Sequence, residues 1–137
     1  GEDRSAGVCL AVFDQLLAEA DVVTLHARVT DETRHFINAE TLARMKPGAL
    51  LVNTARGPLV DYDALHAALA SGHLGGAVLD TFAVEPVPSD WELLKLPNVT
   101  LTPHIAGASV KTVTYAAQRC AEEIRRFMAG MPPISPC

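Results

Sequence analysis

The chain has 137 residues, 49% of them hydrophobic and 20% charged, a composition that predicts a single folded domain and excludes a disordered or collagen-like chain. Lys and Arg number 11 against 16 Asp and Glu, a net charge of −5, which argues against nucleic acid or an anionic membrane as the main partner. Apolar runs fall well short of the roughly 20 residues that span a bilayer. No N-terminal stretch reads as a signal peptide. Three widely spaced cysteines, Cys9, Cys120 and Cys137, form no CxxC and no metal-ligand spacing. They read as buried or incidental thiols in a reducing cytoplasm, with no metal site. The chain begins Gly1-Glu2-Asp3, which reads as a processed or truncated piece.

In chain order, residues 14–20 (DQLLAEA) predict a short helix with an acidic N-cap, and 21–26 (DVVTLH) a strand rich in β-branched residues. Residues 38–45 predict a helix capped by Asn38 and stopped by Lys46-Pro47-Gly48. The apolar run 49–53 (ALLVN) predicts a strand buried on both faces. Asp61 caps a helix over 61–71 that ends at Gly72, and 76–80 (GAVLD) is a further buried strand. Residues 82–98 are irregular and Pro-bearing, with one helical turn at 91–94, before a last strand at 99–102. The spacing of Val110, Val113, Ala117, Cys120, Ile124 and Phe127 predicts a long helix over 109–129 with one buried stripe, closed by Gly130. The tail 131–137 holds three prolines and predicts neither helix nor central strand. Helices alternating with short apolar strands predict an α/β fold of the doubly wound class, a parallel sheet covered on both faces.

In such sheets ligands bind beyond the carboxyl ends of the strands. The first strand ends in His26, and the second in Asn53-Thr54-Ala55-Arg56-Gly57. The third is followed by Asp80 and then Glu85-Pro86, and the fourth by Pro103-His104-Ile105-Ala106-Gly107. Singly, each has a bland reading: a surface ion pair for Arg56, an Asx-turn for Asp80, a structural role for His26 or His104. Together they are a cationic fork for a carboxylate, an acid/base and a carboxylate to orient it. That set suits oxidation or reduction at a carbon beside a carboxylate, with a cofactor exchanging the hydride. His35, His66 and His73 fall away from the strand ends and read as solvated.

At these residues the sequence resembles the NAD-dependent D-isomer-specific 2-hydroxyacid dehydrogenases. The stretches that carry the resemblance are 21–26 (DVVTLH), 45–61 (MKPGALLVNTARGPLVD), 72–86 (GHLGGAVLDTFAVEP) and 96–107 (LPNVTLTPHIAG), in register over about 110 residues. The resemblance implies Arg56 as carboxylate anchor, His104 as acid/base and Glu85 as its partner. It implies a cofactor site at His26, Thr54, Ala55, Arg56, Asp80, His104, Ala106 and Gly107, filled by NAD, with NADP left open. Arg28 stands where the family usually has Pro. The family's Gly-rich pyrophosphate turn and acidic ribose residue are not among these residues: Gly72-His73-Leu74-Gly75-Gly76 lies between a helix and a strand, where it reads as a helix stop. The resemblance thus implies the second half of a Rossmann-type domain over 1–107, with a C-terminal helix and tail over 108–137 that pack on a substrate domain. It implies a small 2-hydroxy or 2-keto acid as partner and a cytoplasmic homodimer. The competing reading is a dehydrogenase-like interaction module without hydride chemistry.

Overall fold

The computed structural model describes residues 9–134. The chain divides into two compact units, Gly1–Pro103 and His104–Cys137. In the first unit, helix α1 (Phe13–Glu19) leads to strand β1 (Val22–Leu25), helix α2 (Ala39–Arg44) to β2 (Leu50–Asn53), and helix α3 (Tyr62–Ala70) to β3 (Gly76–Leu79). A 3₁₀ turn at Glu92–Lys95 precedes β4 (Val99–Leu101), and a second, unforeseen 3₁₀ turn occupies Gly57–Leu59.

The four strands are all parallel and lie in the order β1-β2-β3-β4. One register row runs Val23, Leu51, Ala77, Val99, and another runs Leu25, Asn53, Leu79, Leu101. These rows face the core with Leu17, Leu42, Leu65 and Leu69 from the three helices. Each such leucine contributes about 1.5–3 kcal/mol by leaving water. The intervening positions are open: Val22 is 52% exposed, Leu50 41% and Val78 37%. Within the first unit, the described helices therefore cover one face of the sheet. The cause is topological. Right-handed crossovers that step the same way along the sheet place every helix on the same side.

Two helix starts follow the sequence. The Asn38 side chain accepts from the Glu40 and Thr41 amides in a capping box, and Asp61 accepts from those of Asp63 and Ala64. The start of α1 does not. Its N-cap is Val12, without a side-chain bond, and Asp14 instead pairs with Arg44 at 2.6 Å. Gly72 ends α3 at φ +75°, as a left-handed stop requires. His73, expected in solvent, is half-buried with Nε2 3.0 Å from the Leu42 carbonyl oxygen at the end of α2. His66 is also half-buried, on α3, whereas His35 is exposed.

The second unit is dominated by α4 (Val110–Met128), capped by Ser109 Oγ on the Thr112 amide. It closes in a Schellman motif, with the Gly130 amide on the Phe127 carbonyl and the Met131 amide on the Arg126 carbonyl. The expected stripe is present but not buried. Val110 is 87% exposed and Phe127 84%, and Val113, Ala117, Cys120 and Ile124 are exposed as well. Periodicity identifies the apolar face of a helix, not the surface that covers it. Cys9 is exposed too, so neither described thiol is buried; Cys137 and the rest of 135–137 lie outside the described residues.

Candidate active site

Leu25 and Asn53 are register partners, so β1 and β2 release their chains side by side at the carboxyl edge of the sheet. The cleft between them is lined by His26, Ala27, Arg28, Val29, Ala55 and Arg56. His26 is exposed, and its Nε2 lies 3.1 Å from Thr24 Oγ1. The loop beyond is braced by its own threonines: Thr33 Oγ1 donates to the Arg28 carbonyl at 2.7 Å and accepts from the Thr30 amide at 2.7 Å. Thr54 is exposed on the facing loop. Arg56 donates through Nη1 to the Ala55 carbonyl at 2.6 Å. Among the described residues no ion pair engages Arg28 or Arg56. The surface-ion-pair reading of Arg56 thus has no counterpart among them. Two guanidinium groups share an open cleft in a net acidic chain, and most of the Arg56 fork remains available to an anion.

A buried polar layer lies beneath. Asn53 is fully buried at the end of β2; its Oδ1 accepts from the Ala55 amide at 3.1 Å and its Nδ2 donates to the Arg56 carbonyl at 3.0 Å. Tyr62, at the start of α3, donates its hydroxyl to the Thr81 carbonyl at 2.8 Å. Burial pushes the Tyr62 phenol well up; the Glu85 charge adds to the rise and the Asn53 amide opposes it. Its ring meets Trp91 edge-on at 5.1 Å, and Trp91 meets Phe82 in the same way at 5.9 Å. Gly57 is packed against the backbone of Phe82 and Ala83. Sequence reasoning missed Asn53, Tyr62 and Gly57 as parts of the site. The signal for Asn53 was an amide closing an apolar run, since a buried amide needs partners.

Asp80 is 2% exposed, and its carboxylate accepts from Thr102 Oγ1 across the ends of β3 and β4. Glu85 is exposed on the loop that follows; its Oε1 accepts from the Phe82 amide at 2.9 Å. The Glu85–Pro86 peptide bond is cis. In the second unit His104 is exposed and holds φ at +54°, a left-handed conformation rare outside glycine. His35 adopts φ +51°, so the conformation alone does not mark a site. Ala106 and Gly107 are exposed in the turn that follows, where the Ala108 amide donates to the Ile105 carbonyl at 2.9 Å.

The structure brings His26, Ala55 and Arg56 into one cleft and adds Arg28. Asp80 and Glu85 occupy the neighbouring β3 end and its loop. His104, Ala106 and Gly107 form the opening loop of the second unit. The cleft lies at the carboxyl edge of a parallel sheet, where such sheets bind ligands, has the small Ala55 in its wall, and holds two guanidinium groups that have no ion-pair partner among the described residues and suit an anionic group. Among the described residues no group of three His, Cys, Asp or Glu side chains could hold a metal ion, and no helix is long and apolar enough to cross a membrane.

Comparison with known proteins agrees with this geometry. Residues 2–106 match the family model for the D-isomer specific 2-hydroxyacid dehydrogenase, NAD binding domain. The chain is 47% identical over 132 residues to a glyoxylate reductase of Korarchaeum cryptofilum, covering 96% of this chain and 40% of that protein. Among solved structures it is similar to a D-isomer specific 2-hydroxyacid dehydrogenase of Xanthobacter autotrophicus Py2 in complex with NADPH and MES. That match has a TM-score of 0.81 at 43% identity, covering 89% of this chain and 50% of that one. It is also similar to the apo D-mandelate dehydrogenase of Rhodotorula graminis, with a TM-score of 0.86 at 38% identity, covering 93% and 37%. The chain thus spans between 37% and 50% of the length of these three relatives. The sheet order, the cleft at its carboxyl edge and these matches establish that the chain belongs to the D-isomer-specific 2-hydroxyacid dehydrogenase family, as the second half of its Rossmann-type NAD-binding domain.

Proposed function

We propose that this chain serves an oxidoreductase that moves a hydride between a nicotinamide cofactor and a small D-2-hydroxy acid or its 2-keto acid. The observation that carries the reading is Arg56: it lines the carboxyl-edge cleft, and its guanidinium has no ion-pair partner among the described residues. A planar fork in that position binds a substrate carboxylate through two parallel hydrogen bonds. His26, Thr54, Ala55, Arg56 and Asp80, with the His104, Ala106 and Gly107 loop, would hold the nicotinamide end of the cofactor. Bound there, the nicotinamide supplies the hydride donor or acceptor.

The chain's own residues supply the rest. Arg56 fixes the substrate's carboxylate, and with it the orientation of the neighbouring carbon. His104 takes the hydroxyl proton in oxidation and returns it to the carbonyl oxygen in reduction. Glu85 is the partner that orients the His104 ring. We extend the reading to a homodimer in the cytoplasm without nucleic-acid or membrane partners, which sedimentation and cell fractionation check. The direct test incubates the intact protein with NADH or NADPH and a panel of small 2-keto acids, glyoxylate and hydroxypyruvate among them. Cofactor oxidation with at least one acid is expected. A complete lack of turnover across the panel, with the cofactor bound, overturns the reading in favour of an interaction module.

A further inference from the structure

Beneath the cleft, two loops that leave different strands share one buried polar layer. The loop after β2 carries Arg56, and Asn53 grips it twice, at the Ala55 amide and at the Arg56 carbonyl. The loop after β3 carries Glu85, and Tyr62 grips its root at the Thr81 carbonyl. The Tyr62 phenol responds to both loops, the Asn53 amide lowering its pKa and the Glu85 charge raising it. Packing holds both gripping side chains. Asn53 is fully buried, and the Tyr62 ring is wedged edge-on against Trp91 at 5.1 Å. The backbones of the two loops also touch at Gly57 and Phe82.

This layer is more than loop packing, because of what it carries. Arg56 is exposed, and the hydrogen bond that its guanidinium makes goes to the Ala55 carbonyl of its own loop, so the placement of that loop's backbone governs where the guanidinium sits. That backbone is held by Asn53. The Glu85 carboxylate is likewise set by its loop, through the Phe82 amide one residue after Thr81. An error of about 1 Å in such a relation costs on the order of 10²-fold in rate.

We infer that Asn53 and Tyr62 are positioning residues, a strut of one buried and one half-buried side chain that holds the Arg56 loop and the Glu85 loop in one fixed relation. The inference rests on the proposed function for its catalytic consequence, but not for its structural one. Tyr62→Phe keeps the ring and its packing on Trp91 and removes only the hydroxyl.

Two measurements on the intact protein test it. In amide NMR, Tyr62→Phe is expected to shift the Ala55 and Arg56 signals as well as those of Phe82 and Glu85, while signals of α2 stay in place. In steady-state kinetics, kcat/KM for the 2-keto acid is expected to fall roughly 10–100-fold, with KM for the cofactor changed less than twofold. A purely structural hydroxyl would lower the melting temperature and leave this KM split flat. Rescue is expected with neither Trp nor Leu at position 62. Wild-type kinetics in a folded Tyr62→Phe protein, or shifts confined to the Thr81 loop, overturn the strut. If Tyr62→Phe fails to fold, Asn53→Asp decides. It keeps the acceptor for the Ala55 amide and deletes the donors, so the same loss in keto-acid kcat/KM is expected, and its absence is fatal to the idea. If Arg56→Lys and His104→Ala both keep full turnover, the hydride-transfer reading fails, and the NMR result still judges the strut.

Discussion

A Cβ built on Gly57 would lie 2.0 Å from the carbonyl carbon of Phe82 and 2.3 Å from the Ala83 nitrogen. No side chain fits there, because the obstacle is backbone rather than a flexible tip. Gly57→Ala must therefore push apart the chain after β2 and the chain after β3. The expected cost is about 3 kcal/mol of unfolding free energy, at the upper end for overpacking. Urea denaturation measures it; a midpoint equal to wild type would show that the two loops yield freely.

The proposed chemistry assigns separable roles to two residues. His104→Ala should lower kcat by roughly 10²–10⁴-fold, the usual share of a general acid/base. Arg56→Lys should chiefly raise KM for the keto acid, since an ammonium offers a point charge in place of a fork. Steady-state kinetics with saturating cofactor separates the two. Unchanged constants in both variants would remove these residues from the site.

Tyr62 gives the fold a specific alkaline weakness. Burial raises its folded-state pKa above the ordinary value of 10.0. The protonated phenol is thus favoured by folding, and the stabilisation is fully present below about pH 10. As pH climbs past 10 the unfolded chain ionises first, so stability falls, by at most ~1.4 kcal/mol per pH unit for one proton. Tyr62→Phe should show a shallower loss between pH 10 and 12 in chemical denaturation. Parallel curves for the two proteins would place the phenol in solvent.

The 137-residue chain by itself should bind NADH weakly. Its sequence offers no Gly-rich turn between a strand and a helix, the feature that grips a pyrophosphate. Without several charge-assisted hydrogen bonds of ~1.5–3 kcal/mol each, a micromolar site falls to millimolar or weaker. The β1 edge and the exposed row of Val22, Leu50 and Val78 should drive self-association in the same sample. Calorimetric titration with sedimentation tests both, and micromolar binding to a clean monomer would contradict both.

What the sequence reveals depends on whether the cause is local. The strands at Leu50–Asn53 and Gly76–Leu79 are short apolar runs closed by a polar residue, and they are legible as such. The caps Asn38 and Asp61 act on amides two or three residues away, so they are legible too. Asp14 looks like a cap but is held by Arg44, thirty residues on. His73 looks solvated because the carbonyl that it meets, at Leu42, is thirty-one residues back. The one-sided placement of the first unit's helices belongs to the same class. Strand order decides it, and no single strand's composition records strand order.

The sequential order β1-β2-β3-β4 also has a consequence for synthesis. Each strand pairs with the one made just before it, so a chain emerging from a ribosome can add each unit to an edge already in place. Among the described strands, none waits for a later one to be inserted between two earlier ones. The series also carries its own stop. β4 is three residues long, and Pro103 follows two residues after its end, where it offers no amide to a further strand. The β4 edge is blunted in this way, and the β1 edge remains the open template of the pair.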